Sequence, residues 1–334
     1  MARYLNDQNV VIGLHESGTY AGSIVGNPFW IGQVQSHDIV DSEGLIEQRF
    51  VGALDRNFQS MLQGPRDVTG TLVYNPQDMR LVFWSIGSTV NVSGTNATAR
   101  VTEIENDVRQ SPFTSGTLNP PISFALEDSK TTVGTGQNFI RRTRGIVPNI
   151  TTVSASPGEK VEVTLEYVGQ TLEYASGAYT SFVEIVRAPW LWNHTSITFG
   201  GSPVDTAKGV ELIIDNGRTA PHYLNGSRDA SVPFNGARNY TVNLTLDWEG
   251  TYSKRWYNDY FKGGSAFNMT IDFNADNAAG SQHAVFTLSG CRVNTATVPS
   301  PFEGVTESTV EIRPQSVTGS EFNAFLSGGL YGPY

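Results

Sequence analysis

Cysteine is almost missing from this sequence: Cys291 is the only one in 334 residues. An intramolecular disulfide is thereby excluded, and so is a metal site built on several cysteines. Cys291 ends the strand-like run Phe286-Thr287-Leu288-Ser289-Gly290-Cys291, where a buried, inert thiol is expected. Long apolar runs are missing too, since no stretch approaches the roughly 18 residues of a membrane helix. The opening Met1-Ala2-Arg3-Tyr4-Leu5-Asn6-Asp7 has no basic segment leading into an apolar one, so no signal peptide is expected. Together these lacks point to a chain made and folded in a cytoplasm, with no membrane partner. Positive charge is also scarce: 22 Lys and Arg face 32 Asp and Glu, a net charge of −10. That balance argues against tight wrapping of nucleic acid, which needs cations on the phosphates. It leaves room for a surface past which nucleic acid slides without sticking. Asn-x-Ser/Thr sequons at Asn91, Asn96, Asn149, Asn193, Asn225, Asn239, Asn243 and Asn268 follow from a composition rich in Asn, Thr and Ser.

The residue patterns of familiar catalysts are missing as well. His15, His37, His194, His222 and His283 are dispersed, and none lies in a His-Glu-x-x-His pattern. In His15-Glu16 and His37-Asp38 the neighbours face opposite sides of a strand, which disfavours joint metal binding. No Gly-x-Ser-x-Gly elbow and no phosphate-binding Gly-x-x-x-x-Gly-Lys-Ser/Thr occurs. Gly134-x-Gly136 lacks the strand, the third glycine and the helix of a dinucleotide site and reads as a loop. Glu162 and Glu166 share a strand face, yet four residues separate them by roughly 13 Å. An inverting glycosidase pair spans about 6.5–9.5 Å, so a solvated acidic face is the better reading. Trp190 and Trp192, at alternate positions, are candidates for a carbohydrate platform, with core packing or an interface the commoner fate. No enzyme activity and no cofactor is expected.

What is present is alternation. Val161, Val163, Leu165 and Tyr167 fall on one face of a run whose other face holds Glu162, Thr164 and Glu166, the mark of a half-buried strand. Val68 to Tyr74, Ile122 to Leu126, Phe182 to Val186, Val210 to Ile214, Tyr240 to Leu246, Met269 to Phe273 and Val285 to Leu288 behave alike. Gly, Pro and Asn punctuate them, as at Asn216-Gly217, Asn225-Gly226 and Asn235-Gly236. Two helices are expected. Asn75-Pro76-Gln77-Asp78 supplies an N-cap, a first-turn proline and an acid, followed by Met79, Phe83 and Ile86 at helical spacing and Gly87 as the stop. The second covers Lys254 to Lys262, with Trp256, Tyr257, Tyr260 and Phe261 for one face and Gly263-Gly264 as its end.

Both helices follow the same lead-in. Arg56, Gly64 and Arg66 are spaced as are Arg228, Gly236 and Arg238, and each second arginine opens a β run that leads to a helix. Ser156-Pro157-x-Glu159-x-Val161 is echoed by Ser300-Pro301-x-Glu303-x-Val305, and Pro28-Phe29-Trp30 by Pro189-Trp190-Leu191. The order is kept, which indicates an internal duplication. The expected domains are 1–176, with a Ser/Thr/Asn-rich insertion over about 88–136, then 177–315, then a C-terminal arm over 316–334. Leu330 and Tyr331 on that arm are either an anchor onto a neighbour or part of a frayed tail.

Val10-Val11-Ile12-Gly13-Leu14-His15-Glu16-Ser17-Gly18-Thr19-Tyr20, Phe29-Trp30-Ile31-Gly32-Gln33-Val34-Gln35-Ser36 and Gly70-Thr71-Leu72-Val73-Tyr74-Asn75-Pro76-Gln77-Asp78 resemble the tail tube proteins of long-tailed viruses of bacteria and archaea. Tyr223-Leu224-Asn225-Gly226-Ser227-Arg228 and the Phe286–Cys291 run extend the resemblance into the second half. The resemblance implies a mainly β chain, here two tandem β-sandwich or partial-barrel domains with one flanking α-helix each. It implies rings whose inner strands complete a shared β-barrel, stacked between capsid and tail tip in the virion. The implied partners are further copies of the chain, the tail terminator, tape measure and tip or baseplate proteins, and viral DNA passing without specific binding. Since the family's rings hold six tube domains, two per chain implies three chains per ring. The resemblance also makes the Gly44 to Gln63 segment, with Arg49, Asp55 and Arg56, a candidate for contact with an adjoining subunit, an ordinary exposed hairpin being the alternative. Arg66, Arg228 and Arg238 are further inter-subunit candidates, and Glu162 and Glu166 are candidates for an acidic lumen face. Two other readings stay open: a β-sandwich carbohydrate- or surface-binding module, and another virion ring protein such as a terminator or baseplate component.

Overall fold

A computed structural model describes residues 9–16, 20–48, 60–87, 90–93, 98–101, 123–131, 138–178, 188–248, 256–275, 282–298 and 306–323. The first part of the chain forms β1 (Asn9–Glu16), β2 (Ile24–Phe29), β3 (Gly32–Gln48), β4 (Ser60–Pro76), α1 (Arg80–Ile86), β5 (Val90–Ser93), β6 (Thr98–Val101), β7 (Phe124–Thr131), β8 (Asn138–Ala155), β9 (Glu162–Gly169) and β10 (Thr171–Ala175). The second part forms β11 (Thr195–Phe199), β12 (Ser202–Pro203), β13 (Ala207–Asp215), β14 (Asn239–Asp247), a π-helical segment (Trp256–Lys262), β15 (Phe267–Asn274), β16 (Gln282–Thr297), β17 (Glu307–Arg313) and β18 (Ser316–Asn323). The alternating runs read from sequence are strands wherever they are described, and Phe182 to Val186 lies outside the described residues.

Strand pairing follows one scheme twice. In the first part β2–β1–β7–β8–β10 make one antiparallel ladder and β3–β4–β9–β8 another, β8 serving both. In the second part β12–β11–β15–β16–β18 and β13–β14–β17–β16 repeat that order, with β16 in the double role. Registers repeat too: Leu72↔Leu165 is matched by Leu244↔Val310.

A strand that serves two ladders must bend, and both do so at the same place. β8 turns at Gly145 (φ 64) and β16 at Gly290 (φ 62), a left-handed conformation that glycine adopts without steric cost. A bulge follows each, between Pro148 and Ile150 and between Val293 and Thr295. The amide of Gln170 donates to the Arg144 carbonyl at 2.8 Å and that of Gln315 to the Ser289 carbonyl at 3.0 Å, closing each corner.

The two parts are sewn together by β8 and β13, which pair from Val210↔Ala155 to Asp215↔Ile150. One ladder therefore runs β3–β4–β9–β8–β13–β14–β17–β16. The expected insertion contributes a second tie: β6, paired to β5, adds to β18. Within that insertion β7 is a core strand, with Phe124, Ala125 and Leu126 fully buried, and residues 102–122 and 132–137 are outside the description. The segment expected to be an arm likewise begins as a strand, since β18 pairs with β16 along its whole length.

The helices differ from expectation in detail. Asn75 and Pro76 end β4, where Pro76 faces Gly32, so the helix starts later, at Arg80, whose amide donates to the Asp78 carboxylate at 3.0 Å. Every residue of α1 is buried, so it contributes to the core. Phe83 meets the Phe286 ring, 5.7 Å between centroids, and lies over Gly319, where an added Cβ would come within 2.6 Å of it. The C-terminal carbonyls of α1 accept from the second part: Asn216 Nδ2 to Ser85 O at 3.0 Å and Arg238 Nη1 to Ile86 O at 2.6 Å. The second helical segment is π-helical, its Gly263 amide reaching Asn258 O at 2.7 Å. Its aromatic stripe packs on the sheet as expected: Trp256 is buried, and Tyr260 meets Phe199 at 5.1 Å. One continuous core joins both parts, from Leu72, Phe83 and Leu165 to Leu244, Phe273 and Phe286.

Candidate assembly surface

The long ladder has one face in the core and one away from it. On β9, Val163, Leu165 and Tyr167 are buried while Glu162 and Thr164 are half-buried and Glu166 is exposed. The strand in the same position of the second part, β17, buries Ser308, Val310 and Ile312 and turns Glu307, Thr309 and Glu311 the other way. The Glu-x-Thr-x-Glu pattern thus occurs twice at matching registers. One row of cross-strand neighbours on this face reads Asp38–Thr71–Glu166–Ile150, and its counterpart reads Glu211–Asn243–Glu311–Thr295. Each row carries acids at its first and third strands, spaced by two strand separations or about 10 Å. That spacing is about one Debye length, so the carboxyl groups repel one another only weakly and the face gathers acidic residues.

Some of those charges are locally balanced. Lys208 bridges Asp247 at 2.8 Å and Glu307 at 2.7 Å, and Arg313 holds Glu311 at 2.6 Å. Burial acts against ionisation of Glu311, but hydrogen bonds from Asn294 and Arg313 outweigh it and lower its pKa. Asn243 donates to Glu211 at 2.7 Å.

A second exposed feature is the distal part of the β3–β4 hairpin, whose residues are exposed or half-buried apart from Gly64. Leu45, Ile46, Met61 and Leu62 are all about half exposed there. Its base is braced by its own chain. Arg66 binds Asp41 through Nε at 2.8 Å and Nη2 at 2.7 Å and also reaches Leu172 O at 3.0 Å. That hydrogen-bonded pair lowers the Asp41 pKa. From the second part, Arg228 donates to Gly64 O at 2.9 Å and Gln63 at 2.8 Å, with Glu43 at 3.3 Å, and His222 meets Asp67 at 2.9 Å. The matched glycines have matched duties. A Cβ on Gly64 would fall on the Gly44 carbonyl, and one on Gly236 would lie 2.4 Å from the Gly217 carbonyl.

Of the residues singled out from sequence, Arg66 and Arg228 thus meet within the chain, the Arg66 amide donating to Arg228 O at 2.9 Å. Arg238 sits at the end of α1, and Glu162 and Glu166 share the acidic face. Arg49, Asp55, Arg56, Leu330 and Tyr331 lie outside the described residues. Trp190 is fully buried and Trp192 is 46% exposed, so the two do not form one platform. Cys291 is buried, its thiol pushed up to about 11 by burial. Sequence reasoning missed Glu211, Glu307 and Glu311 and the paired corners at Gly145 and Gly290. The signal was available as Gly145…Gln170 and Gly290…Gln315, which keep the same separation. Among the described residues no group of His, Cys, Asp and Glu is placed to hold a metal ion, and no helix is long and apolar enough to cross a membrane.

The family model for phage tail tube proteins matches residues 41–320. The chain belongs to that family, a family of virion structural proteins, and its mainly β architecture is consistent with it. No curated protein matches the sequence.

Proposed function

We propose that copies of this chain close into rings that stack as a tail tube, and that the tube conducts the viral genome into the host. The observation that carries this reading is the long ladder with acids repeated on its non-core face. Curled into a barrel, such a ladder presents a negative interior, which keeps a polyanion from adsorbing as it passes. Closure also removes the strand edges that would otherwise pair without control. Each chain supplies two tube units, 1–176 and 177–315, supported by the repeated pairing scheme and by the repeated corners. Three chains then complete the ring, and the terminator, tape measure and tip proteins are the partners at its ends and within it. Negative-stain microscopy of the purified chain tests this: hollow tubes are expected, and monomers persisting at high concentration would refute it.

A further inference from the structure

The long ladder ends in two strands with no strand paired on their outer sides among the described residues: β3 at one end and residues 292–297 of β16 at the other. The junction inside the chain shows what such edges fit. β3 corresponds to β13, because His37↔Leu72 is matched by Val210↔Leu244 and each strand has a bulge at the matching place, Val34/Ser36 and Ala207/Gly209. β16 corresponds to β8 through the shared glycine corner and the bulge that follows it. Within the chain, β8 and β13 pair with Thr152 opposite Ile213 and Ile150 opposite Asp215. Val40 stands where Ile213 does, Ser42 where Asp215 does, Thr297 where Thr152 does, and Thr295 where Ile150 does.

We infer that a second copy of this chain docks the edge of its β3 against β16, antiparallel, in the register of the internal junction. Val40 of one copy then lies opposite Thr297 of the next, and Ser42 opposite Thr295. This seam rests on the tube reading above and adds to it the partner, the edges and the register. The two edges belong to opposite ends of one molecule, so the contact is head-to-tail and closes when the rotation relating the parts sums to a full turn. The side chains at the seam are accessible before docking: Val40 is 58% exposed, and Ser42, Thr295 and Thr297 are exposed. Their pairing also covers the exposed edges that a lone chain would present to indiscriminate partners.

Cysteine pairs in the full chain test the register. Opposed residues in antiparallel strands have Cα atoms about 4.5–5.5 Å apart, within disulfide reach. Assembled Val40→Cys/Thr297→Cys and, separately, Ser42→Cys/Thr295→Cys should give reducible covalent multimers on mild oxidation, ending at one closed species. Val40→Cys/Thr309→Cys should not, since Thr309 lies one strand further, about 10 Å away. Mixing the two single variants Val40→Cys and Thr297→Cys should stop at dimers. Tubes that form but cross-link in neither in-register pair, or that favour Thr309, overturn the seam and leave the tube reading standing. An unmodified chain that forms no tubes overturns both. The two in-register pairs are independent, so misfolding of one variant leaves the other to decide.

Discussion

The paired corners allow a comparison inside one molecule, because Gly145 and Gly290 hold the same backbone conformation in different surroundings. Alanine at either site must adopt positive φ, at a cost of about 1–2 kcal/mol. At Gly145 the new Cβ would also lie 2.8 Å from the Cβ of Gln170 and 3.0 Å from that of Ala21. Both are atoms fixed to the backbone, so the corner must open, adding an overpacking cost of about 1–3 kcal/mol. At Gly290 the nearest atom is Gln315 Oε1 at 2.4 Å, the far end of a side chain that can swing aside. Gly145→Ala should therefore destabilise by about 2–5 kcal/mol and Gly290→Ala by about 1–2 kcal/mol. Urea unfolding followed by tryptophan fluorescence, at concentrations below assembly, reads the difference as a shift in midpoint. Equal costs, a larger cost at Gly290, or no cost at either would refute the argument that these glycines make the corner.

Glu166→Lys combined with Glu311→Lys should leave tubes intact but make them retain double-stranded DNA at low salt and release it as salt rises; retention no greater than that of the unmodified tube would count against an acidic interior. Burial lowers the pKa of His15 and His37 from 6.5 to about 4, so the unfolded chain takes up protons first and stability falls as pH drops from about 6.5 toward 4. Replacing His37 with Gln, which can still reach the Tyr167 hydroxyl that His37 meets at 2.7 Å, should flatten part of that fall in the urea midpoint, and an unchanged slope would contradict it. Arg228→Ala removes the donors to Gly64 O and Gln63, costing about 0.5–1.5 kcal/mol per bond; amide exchange in β3 and β4 near Gly64 should quicken, and unaltered exchange would show that the brace is idle.

Much of the strand layout was legible because half-buried strands write their alternation into the sequence, as Val161 to Tyr167 does. The repeated pairing scheme left a trace at Arg66, Gly64, Arg238 and Gly236, since two of those positions need the close backbone approach that glycine alone permits. Other features depend on distant partners and leave little local trace. Asn75-Pro76 carries every local sign of a helix start, yet pairing with Gly32 and Gln33 extends β4 through it. Part of the burial of α1 comes from Phe286, Gly319 and Arg238, all far along the chain. Gly145 and Gly290 look like ordinary punctuation until the strand through each is seen to serve two ladders. Glu162 and Glu166 were readable as an acidic face, but their counterparts Glu307 and Glu311 become so only when β9 and β17 are superposed by pairing register. Arg66 and Arg228 suggested contacts between subunits; the bonds that the chain itself shows for them brace the β3–β4 hairpin.

A symmetry-resolved electron-microscopy image of assembled tubes tests the account most directly. It should contain three chains per ring, each contributing two successive units, with β3 of one chain against β16 of the next. Rings of six chains, or a seam formed by other strands, would contradict it.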